Sequence, residues 1–398
     1  NFCTSTSDMK AGRQIALFLL VSVGLLGVFA VWNQQNWTLR QEQRFDSGQY
    51  PGKLAILFEN GNISPRVSLA LYRRGISVRP NYVLVGQDGW MYLGDNFQDA
   101  ATRAANGLEV LDDTLLARVS GQLRERQDWL AQQGVASLFA IVPNKHSIYP
   151  EYAPAWMPFS DHGDNGRLVA AAQSVGVNIV DTTPTIRAEK QGRQWLFNYT
   201  DTHWTYPAAF VGYSTILAAL QNQGVPIEIL PKDSVRFEAT TYPAGGLAKL
   251  LGFARLLNDS FDRGYSVNIE RPTESMCVTN IDRQFNESSE CVAGPDRGIV
   301  GNYWTARQLS NPDALNDLSV LIVEDSFGFA PSRFYNNSFT TVWHAHLGFI
   351  LNGERLKHFV QKFRPDIVVY MVVERNLLRP LAYEFDGGSG IVESPREL

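Results

Sequence analysis

The chain has 398 residues, of which 44% are hydrophobic and 19% are charged, and its formal net charge is -5. A chain of this length and composition can bury a large core and is typical of a globular protein. The negative charge argues against a nucleic-acid partner, and the sequence contains no run of Lys and Arg interleaved with aromatic residues that would follow a phosphate backbone.

An uncharged apolar stretch near the N-terminus predicts a membrane anchor. Residues 15–32 (IALFLLVSVGLLGVFAVW) are just long enough to cross a hydrocarbon layer as a helix. Lys10 and Arg13 precede the stretch, and positive charge on that flank predicts a cytoplasmic N-terminus and an exported remainder. A cleaved signal peptide is the alternative, since VFA at 28–30 has small residues at cleavage spacing. The predicted segments are a cytoplasmic tail with signal anchor (1–32), a stalk (33–80) and one folded domain (81–398).

The rest of the chain alternates between helical and apolar strand patterns. A hairpin is predicted first, since aromatic and β-branched residues flank a turn with the sequence GQDG. Because the later strands are continuously apolar, both their faces are expected to be buried, which predicts an α/β fold with a mostly parallel sheet flanked by helices. Helices are predicted over 108–133, 167–175, 207–221 and 354–363, and strands over 82–85, 90–93, 135–142, 177–180, 319–323, 340–343 and 367–373.

A serine at the end of an apolar strand is the first candidate for chemistry. The strand over residues 319–323 leads through Asp325 into Ser326, and a glycine follows two residues later. In an open parallel sheet, ligands bind outside the carboxyl ends of the strands, where a serine hydroxyl meets solvent. Backbone N–H groups of the same turn are suited to hold an oxyanion. The alternative is a helix cap, because Asp and Ser after a strand are common N-caps.

Asp201 and His203 form a second candidate group. They stand two residues apart in the stretch NYTDTHW, and in an extended segment their side chains share one face. A carboxylate beside an imidazole orients the ring and holds its proton-bearing nitrogen, which is the base-and-orienter half of a catalytic triad. Most isolated pairs of this kind are structural, so the pattern alone leaves both interpretations open.

A metal site is the main competing chemistry. His344 and His346 stand two apart on a predicted strand and could join Asp201 and His203 as ligands. No HExxH motif accompanies them, so hydrogen bonding near a strand end is the plainer interpretation. We expect neither a metal nor another cofactor.

Cys277 and Cys291 are predicted to form a disulfide. They flank a polar segment that is typical of a surface loop, and the anchor pattern predicts that this part of the chain is exported. Two unpaired thiols are the alternative.

Six motifs together resemble the alginate O-acetyltransferase family of the AlgJ and AlgX type, whose members are SGNH-hydrolase-like. In chain order they are VGQDGWMY (85–92), VPNKHSIYPE (142–151), DTHW (201–204), EDSF (324–327), PDIVVY (365–370) and VERN (373–376). The resemblance implies an SGNH-like domain over 81–398 that acts in the bacterial periplasm, tethered to the inner membrane by the N-terminal helix. Two stretches differ from the family pattern: Glu324 replaces a glycine, and AGGLAKL (244–250) lacks an acidic residue.

The resemblance also implies a reaction. Ser326 would be the nucleophile, His203 its general base and Asp201 the residue that orients the histidine. An acetyl-serine intermediate would then pass its acetyl group to a hydroxyl of an exported polysaccharide, alginate or similar. The implied donor partner is a membrane-bound O-acyltransferase.

Three further residues lie in the same motifs and are candidates for substrate binding: Lys145, Arg375 and Trp204. For Lys145 and Arg375, which could contact an anionic sugar, surface or structural ion pairs are the alternative. Two other functions stay open at this point. A carbohydrate acetylesterase would use the same catalytic residues with water as the acceptor. A non-catalytic scaffold subunit of an export complex would leave Ser326 away from His203.

Overall fold

A computed structural model describes residues 64–97, 112–155, 164–192, 195–270, 276–292, 301–302, 304–350 and 353–377. The predicted anchor over 15–32 and most of the predicted stalk lie outside these ranges. Within them, no helix is both long and apolar enough to cross a membrane. The chain separates into two compact units, Asn1–Ser68 and Leu69–Leu398, and the second contains the sheets and the candidate site.

The secondary structure follows the predicted alternation. The helices are α1 (Pro65–Tyr72), α2 (Asp113–Gln132), α3 (Lys145–Ile148), α4 (Asp164–Ser174), α5 (Thr183–Ala188), α6 (Tyr206–Asn222), α7 (Gly246–Leu250), α8 (Phe329–Ser338), α9 (Leu347–Ile350) and α10 (Gly353–Phe363). The strands are β1 (Val83–Val85), β2 (Met91–Leu93), β3 (Ala136–Val142), β4 (Ile179–Asp181), β5 (Val235–Tyr242), β6 (Asp262–Ile269), β7 (Met276–Ile281), β8 (Glu287–Val292), β9 (Ala306–Ser310), β10 (Asn316–Glu324), β11 (Phe339–His346) and β12 (Ile367–Val373).

The main sheet is mixed. Its strand order is β4-β3-β12-β10-β11-β9-β7-β8. Neighbours from β4 to β11 are parallel, whereas β9, β7 and β8 pair antiparallel. The predicted parallel sheet is therefore confirmed only for the part that is buried on both faces. At the other edge, the predicted polar loop between the two cysteines is a β-hairpin, since antiparallel strands tolerate a solvated face.

Two hydrophobic cores cover the two faces of the parallel strands. Along β10, Val320 and Ile322 pack into the core shared with α6 and α8, whereas Leu321 and Val323 pack into the core shared with α2, α4 and α10. Successive side chains of a strand point to opposite faces, so a continuously apolar strand is the pattern that such a position requires. The carboxyl ends of β10 and β12 are thereby held side by side.

Candidate active site

A short turn presents Ser326 at the carboxyl end of β10. The strand ends at Glu324, a 3-10 turn spans Ser326–Gly328, and α8 follows. Ser326 is exposed, but Asp325 beside it is buried. The Asp325 carboxylate accepts hydrogen bonds from the N–H of Phe327 (3.0 Å) and from the N–H of Val373 at the end of β12 (2.9 Å). The serine therefore stands on a turn that is tied to the neighbouring strand.

The N–H groups of this turn point inward. The Phe327 N–H donates to the Asp325 side chain, and the Gly328 N–H donates to the Asp325 carbonyl at 3.0 Å. We expected the N–H groups of the turn to hold an oxyanion, and for these two residues that expectation is wrong. The Phe327 N–H satisfies the buried Asp325 carboxylate, which needs donors. The Gly328 N–H closes the turn onto the Asp325 carbonyl.

Glu324 lies beneath the turn, at the position where the family pattern has glycine. Its carboxylate is buried and accepts a hydrogen bond from the ring of His344 at 3.0 Å. Burial raises the pKa of Glu324, and His344 opposes that shift. A Cβ on Gly328 would lie 2.0 Å from this carboxylate. The glycine is therefore needed for close packing and not for an unusual backbone angle.

The histidines on β11 do not join the candidate site. His344 is fully buried, and its second ring nitrogen lies 2.9 Å from Asn336 Oδ1. The ring of His346 accepts a hydrogen bond from the N–H of Gly348 at 3.0 Å. In the described part of the chain, no group of three His, Cys, Asp or Glu residues is arranged to hold a metal ion. With both its nitrogens engaged, His344 has none left for a metal.

His203 links the serine to Asp201. Its Nε2 atom lies 2.9 Å from Ser326 Oγ, and its Nδ1 atom lies 2.5 Å from Asp201 Oδ1. The segment is not extended, which is the conformation in which both side chains would share one face. The chain reverses between Phe197 and Trp204, which form an antiparallel bridge, and the His203 N–H donates to Asp201 Oδ1 at 3.0 Å. An aspartate that accepts from the backbone two residues later is a common turn device, and here it aligns carboxylate and imidazole.

The glycine pair of the AGGLAKL stretch packs against Asp201. The Gly246 N–H donates to Asp201 Oδ2 at 2.7 Å. A Cβ on Gly245 would lie 2.6 Å from Asp201 Cβ, so only glycine permits this approach. Burial alone would raise the pKa of Asp201, but the hydrogen bond and charge of His203, together with the Gly246 N–H, outweigh it and lower that pKa. Asp201 is thus a carboxylate at neutral pH.

Trp204 and Arg375 lie under the site instead of facing solvent. Both side chains are buried. The Trp204 Nε1–H donates to the Phe327 carbonyl at 3.0 Å, and the Arg375 guanidinium lies 5.2 Å from the centre of the Phe327 ring. That ring also lies 5.0 Å from the His203 ring. The predicted substrate contacts are therefore replaced by contacts that support the turn and the histidine.

Lys145 is also inside the protein. It is 2% exposed, and its Nζ donates to the carbonyls of Met91 (2.8 Å) and Tyr199 (3.2 Å). Burial lowers the pKa of Lys145 to about 7, although Asp262 and Asp201 oppose the shift. Since its nitrogen is taken up by two backbone acceptors, Lys145 joins the β1–β2 hairpin to the segment before Asp201 and does not offer its charge to a substrate.

Asp262, the first residue of β6, is a contributor that sequence reasoning missed. Its buried carboxylate accepts hydrogen bonds from the N–H groups of Tyr199 and Thr200, both at 2.8 Å, and from the Thr200 hydroxyl at 2.5 Å. It thereby holds the two residues that precede Asp201. No motif surrounds it, and its separation of 61 residues from Asp201 gave no signal.

Cys277 is disulfide-bonded. In the register of β7 and β8 it stands directly opposite Cys291. The predicted pairing of these two cysteines is compatible with that register and stays a prediction.

An α/β sheet with an exposed serine, a histidine and an aspartate in one hydrogen-bonded row at its carboxyl edge fits an SGNH hydrolase-like protein. A family model described as "SGNH hydrolase-like domain, acetyltransferase AlgX" matches residues 83–289. The chain belongs to this family, so the resemblance predicted from the sequence is confirmed.

Individual proteins agree with that membership. The probable alginate O-acetylase AlgJ of Pseudomonas syringae pv. tomato is 30% identical over 310 residues, which is 73% of each chain. Bacillus cereus PatB1 superposes with a TM-score of 0.55 at 14% identity, over 76% of this chain and 98% of its own. A DHHW family protein from Eubacterium siraeum gives 0.54 at 16% identity, over 76% and 94%. These two structures show a shared fold.

Proposed function

We propose that the protein is a polysaccharide O-acetyltransferase that works through an acetyl-serine intermediate on Ser326. The observation that carries the proposal is the row of contacts from Asp201 through His203 to the exposed Ser326 hydroxyl. The named relative supports the acetyl-transfer chemistry, since it is a probable alginate O-acetylase. Alginate or a similar exported polysaccharide is the proposed acceptor.

The first half-reaction acylates the serine. His203 Nε2 takes the proton from Ser326 Oγ as the oxygen attacks the acetyl carbonyl of the donor. Asp201, ionised and bonded to Nδ1, keeps the Nδ1–H tautomer in place and stabilises the imidazolium. The tetrahedral intermediate then expels the donor alcohol, which receives the proton from His203. Among the N–H groups of the turn, that of Ser326 is our candidate for the oxyanion, since the next two are engaged.

The second half-reaction decides between transferase and esterase. A sugar hydroxyl, deprotonated by His203, attacks the acetyl-serine and regenerates the free Ser326. Water in place of the sugar gives an acetylesterase with the same residues. A groove that positions the sugar hydroxyl favours transfer by raising its effective concentration. The scaffold alternative has less support, because Ser326 Oγ is exposed and lies 2.9 Å from His203.

The location and the donor partner are part of the proposal. The apolar stretch over 15–32 and its positive flank support an inner-membrane anchor with the site in the periplasm. A membrane-bound O-acyltransferase is the proposed source of acetyl groups, since a periplasmic site has no access to a cytoplasmic acyl donor.

The test is acetyl transfer by the purified full chain. It is incubated with an aryl acetate as donor and with oligosaccharide acceptors, and acetylated sugar is measured by mass spectrometry. Ser326→Ala should abolish donor cleavage and transfer together, and wild-type protein quenched during turnover should carry an acetyl group on the peptide that contains Ser326. Retention of transfer by Ser326→Ala would contradict the mechanism. Donor cleavage with acetate as the only product across acceptors would favour the esterase.

A further inference from the structure

A second pair of a carboxyl group and a histidine lies buried beneath the nucleophile turn, and the proposed mechanism does not use it. Glu324 ends β10 and His344 lies on β11, and their side chains are 1% and 0% exposed. Glu324 Oε1 lies 3.0 Å from His344 Nδ1, and His344 Nε2 lies 2.9 Å from Oδ1 of Asn336, which is also fully buried. The family pattern has glycine in place of Glu324, so it implies no counterpart of this pair.

The contacts of His344 require one more proton than a carboxylate and a neutral imidazole hold. A neutral histidine has a single N–H, yet its two ring nitrogens face oxygens of Glu324 and of Asn336. With that N–H on Nε2, donating to the amide oxygen, the contact with Glu324 needs a second proton, either on Nδ1 or on the carboxyl group. Both placements leave the pair without net charge, and burying a net charge is costly.

The surroundings of Glu324 favour keeping this proton. Its second oxygen, Oε2, is buried without a hydrogen-bond partner, which costs less for a neutral carboxyl group than for a carboxylate. Burial raises the pKa of Glu324, His344 opposes this shift, and the charge of Asp325 adds to it. The charged or titratable neighbours of the pair are Arg307 on β9, Asp325 on β10, Tyr335 on α8 and His346 on β11. In the described part of the chain, none of these four forms an ion pair with Glu324.

The nucleophile turn rests on this carboxyl group. A Cβ on Gly328 would lie 2.0 Å from Glu324 Oε2, so the Cα of the glycine packs against that oxygen. Gly328 closes the turn by donating its N–H to the Asp325 carbonyl at 3.0 Å, and Ser326 stands between these two residues. The position of the carboxyl group therefore sets the position of the turn, and with it the 2.9 Å contact between Ser326 Oγ and His203 Nε2.

We propose that Glu324 and His344 are positioning residues of the acylation step, which share one buried proton and hold Ser326 in reach of His203. This inference rests on the proposed serine mechanism. When the shared proton is lost at alkaline pH, the carboxylate faces the lone pair of a ring nitrogen, and the repulsion shifts the carboxylate together with the turn that rests on it. Such a shift lowers kcat, since a misplacement of about 1 Å costs about 100-fold in rate. KM changes little, because both side chains are buried and touch no substrate.

The first measurement locates the proton on His344. Imidazole nitrogen signals of the full chain, grown with isotope-labelled histidine, are recorded by NMR at neutral pH and assigned by the signals that His344→Gln removes. Nε2 should carry a proton, whether the second proton lies on Nδ1 or on Glu324. A bare Nε2 beside a protonated Nδ1 is the pattern of a neutral ring next to a carboxylate, and it overturns the proposal. This readout is independent of acetyl transfer, so it stands even if Ser326→Ala keeps its activity and the proposed function fails.

The second measurement is stopped-flow release of the aryl alcohol from an aryl acetate, from neutral to alkaline pH, with the uncatalysed rate subtracted. Glu324→Gln supplies Nδ1 with a neutral N–H donor that alkaline pH does not remove. Its kcat should stay within about threefold of wild type at neutral pH, because one hydrogen bond replaces another of similar net strength, and it should not share the alkaline decline of the wild type. Glu324→Ala removes the support and should lower kcat about 10- to 100-fold at every pH, with KM within about twofold of wild type.

Glu270→Gln is the matched control, because it makes the same change in an exposed carboxylate that follows β6 and pairs with Arg236. It should leave kcat and its pH profile unchanged. Melting temperatures at each pH establish that the variants stay folded, and if Glu324→Ala does not fold, the pH profile of Glu324→Gln decides alone. Superimposable profiles for wild type and Glu324→Gln, or equal losses of kcat in Glu324→Gln and Glu324→Ala, would overturn the role of the shared proton.

Discussion

Replacing Asp201 by Asn tests whether this residue sets the tautomer of His203. The carboxylate has two acceptor oxygens: Oδ1 takes the Nδ1–H and the backbone N–H of His203, and Oδ2 takes the N–H of Gly246. An asparagine offers only one oxygen, so each side-chain orientation turns its NH2 group toward a donor. If the NH2 group faces Gly246, one buried N–H loses its acceptor, at a cost of about 1 to 3 kcal/mol.

The other orientation damages the chemistry more than the fold. With its NH2 group toward His203, the asparagine forces the ring proton onto Nε2, and Nε2 can then no longer accept the proton of Ser326. The corresponding change in a serine protease with the same three residue types lowers the rate about 10,000-fold. We expect Asp201→Asn to lose between about 1,000- and 10,000-fold in the acylation rate, with a loss in unfolding free energy of no more than about 3 kcal/mol.

The assay is stopped-flow release of the aryl alcohol from an aryl acetate, well below the melting temperature of each variant. Asp262→Asn is the matched control, because it makes the same change in a buried carboxylate that holds Tyr199 and Thr200 but does not touch His203. It should lower the melting temperature and change the rate less than tenfold. A rate for Asp201→Asn within tenfold of wild type, or equal rate losses in the two variants, would refute the reasoning about the tautomer.

Three further outcomes are expected. In the folded protein the pKa of Lys145 is about 7, against an ordinary value of 10.5. Between pH 7 and pH 10.5 the unfolded chain therefore binds more protons than the folded one. The free energy of unfolding should rise with pH in this range, by at most about 1.4 kcal/mol per pH unit. Urea titrations at pH 7 to 10 should show this rise in wild type, and it should be absent in Lys145→Met. Gly328→Ala should lower the free energy of unfolding by about 1 to 3 kcal/mol through overpacking. Gly121 lies on α2 with open space around it, so Gly121→Ala should raise the free energy of unfolding by about 0.5 to 1 kcal/mol in the same titrations. If Cys277 closes a loop of about 15 residues with Cys291, a reductant should lower the free energy of unfolding by about 3 kcal/mol. An unchanged melting temperature would argue against that bridge.

The parallel part of the fold was predictable because its strands are apolar on both faces. β12 was predicted with both ends correct, and β3 began one residue late, at Ala136 instead of at the predicted residue 135. The edge formed by β7, β8 and β9 was not predicted. Its strands are short and polar, and their pairing depends on partners far along the chain, which local periodicity does not report.

The catalytic candidates could be predicted because the sequence offers few other residues of the required types in suitable positions. Ser326 follows a buried strand, and His203 is one of six histidines. What could not be foreseen was the burial of charged residues: Lys145 and Arg375 lie in family motifs, and lysine and arginine are usually exposed. Trp204 is of a type that is often buried, so its motif did not distinguish a substrate contact from a supporting one. Their motifs indicated that they matter but not on which side of the turn they lie.

The family motifs of this chain support the site from inside the protein. The motif around Val373 and Asn376 holds Asp325, to which the Asn376 side chain donates at 3.0 Å, and the motif around Lys145 holds the segment that leads to Asp201. The motifs that identify the family therefore support the nucleophile and its base from beneath.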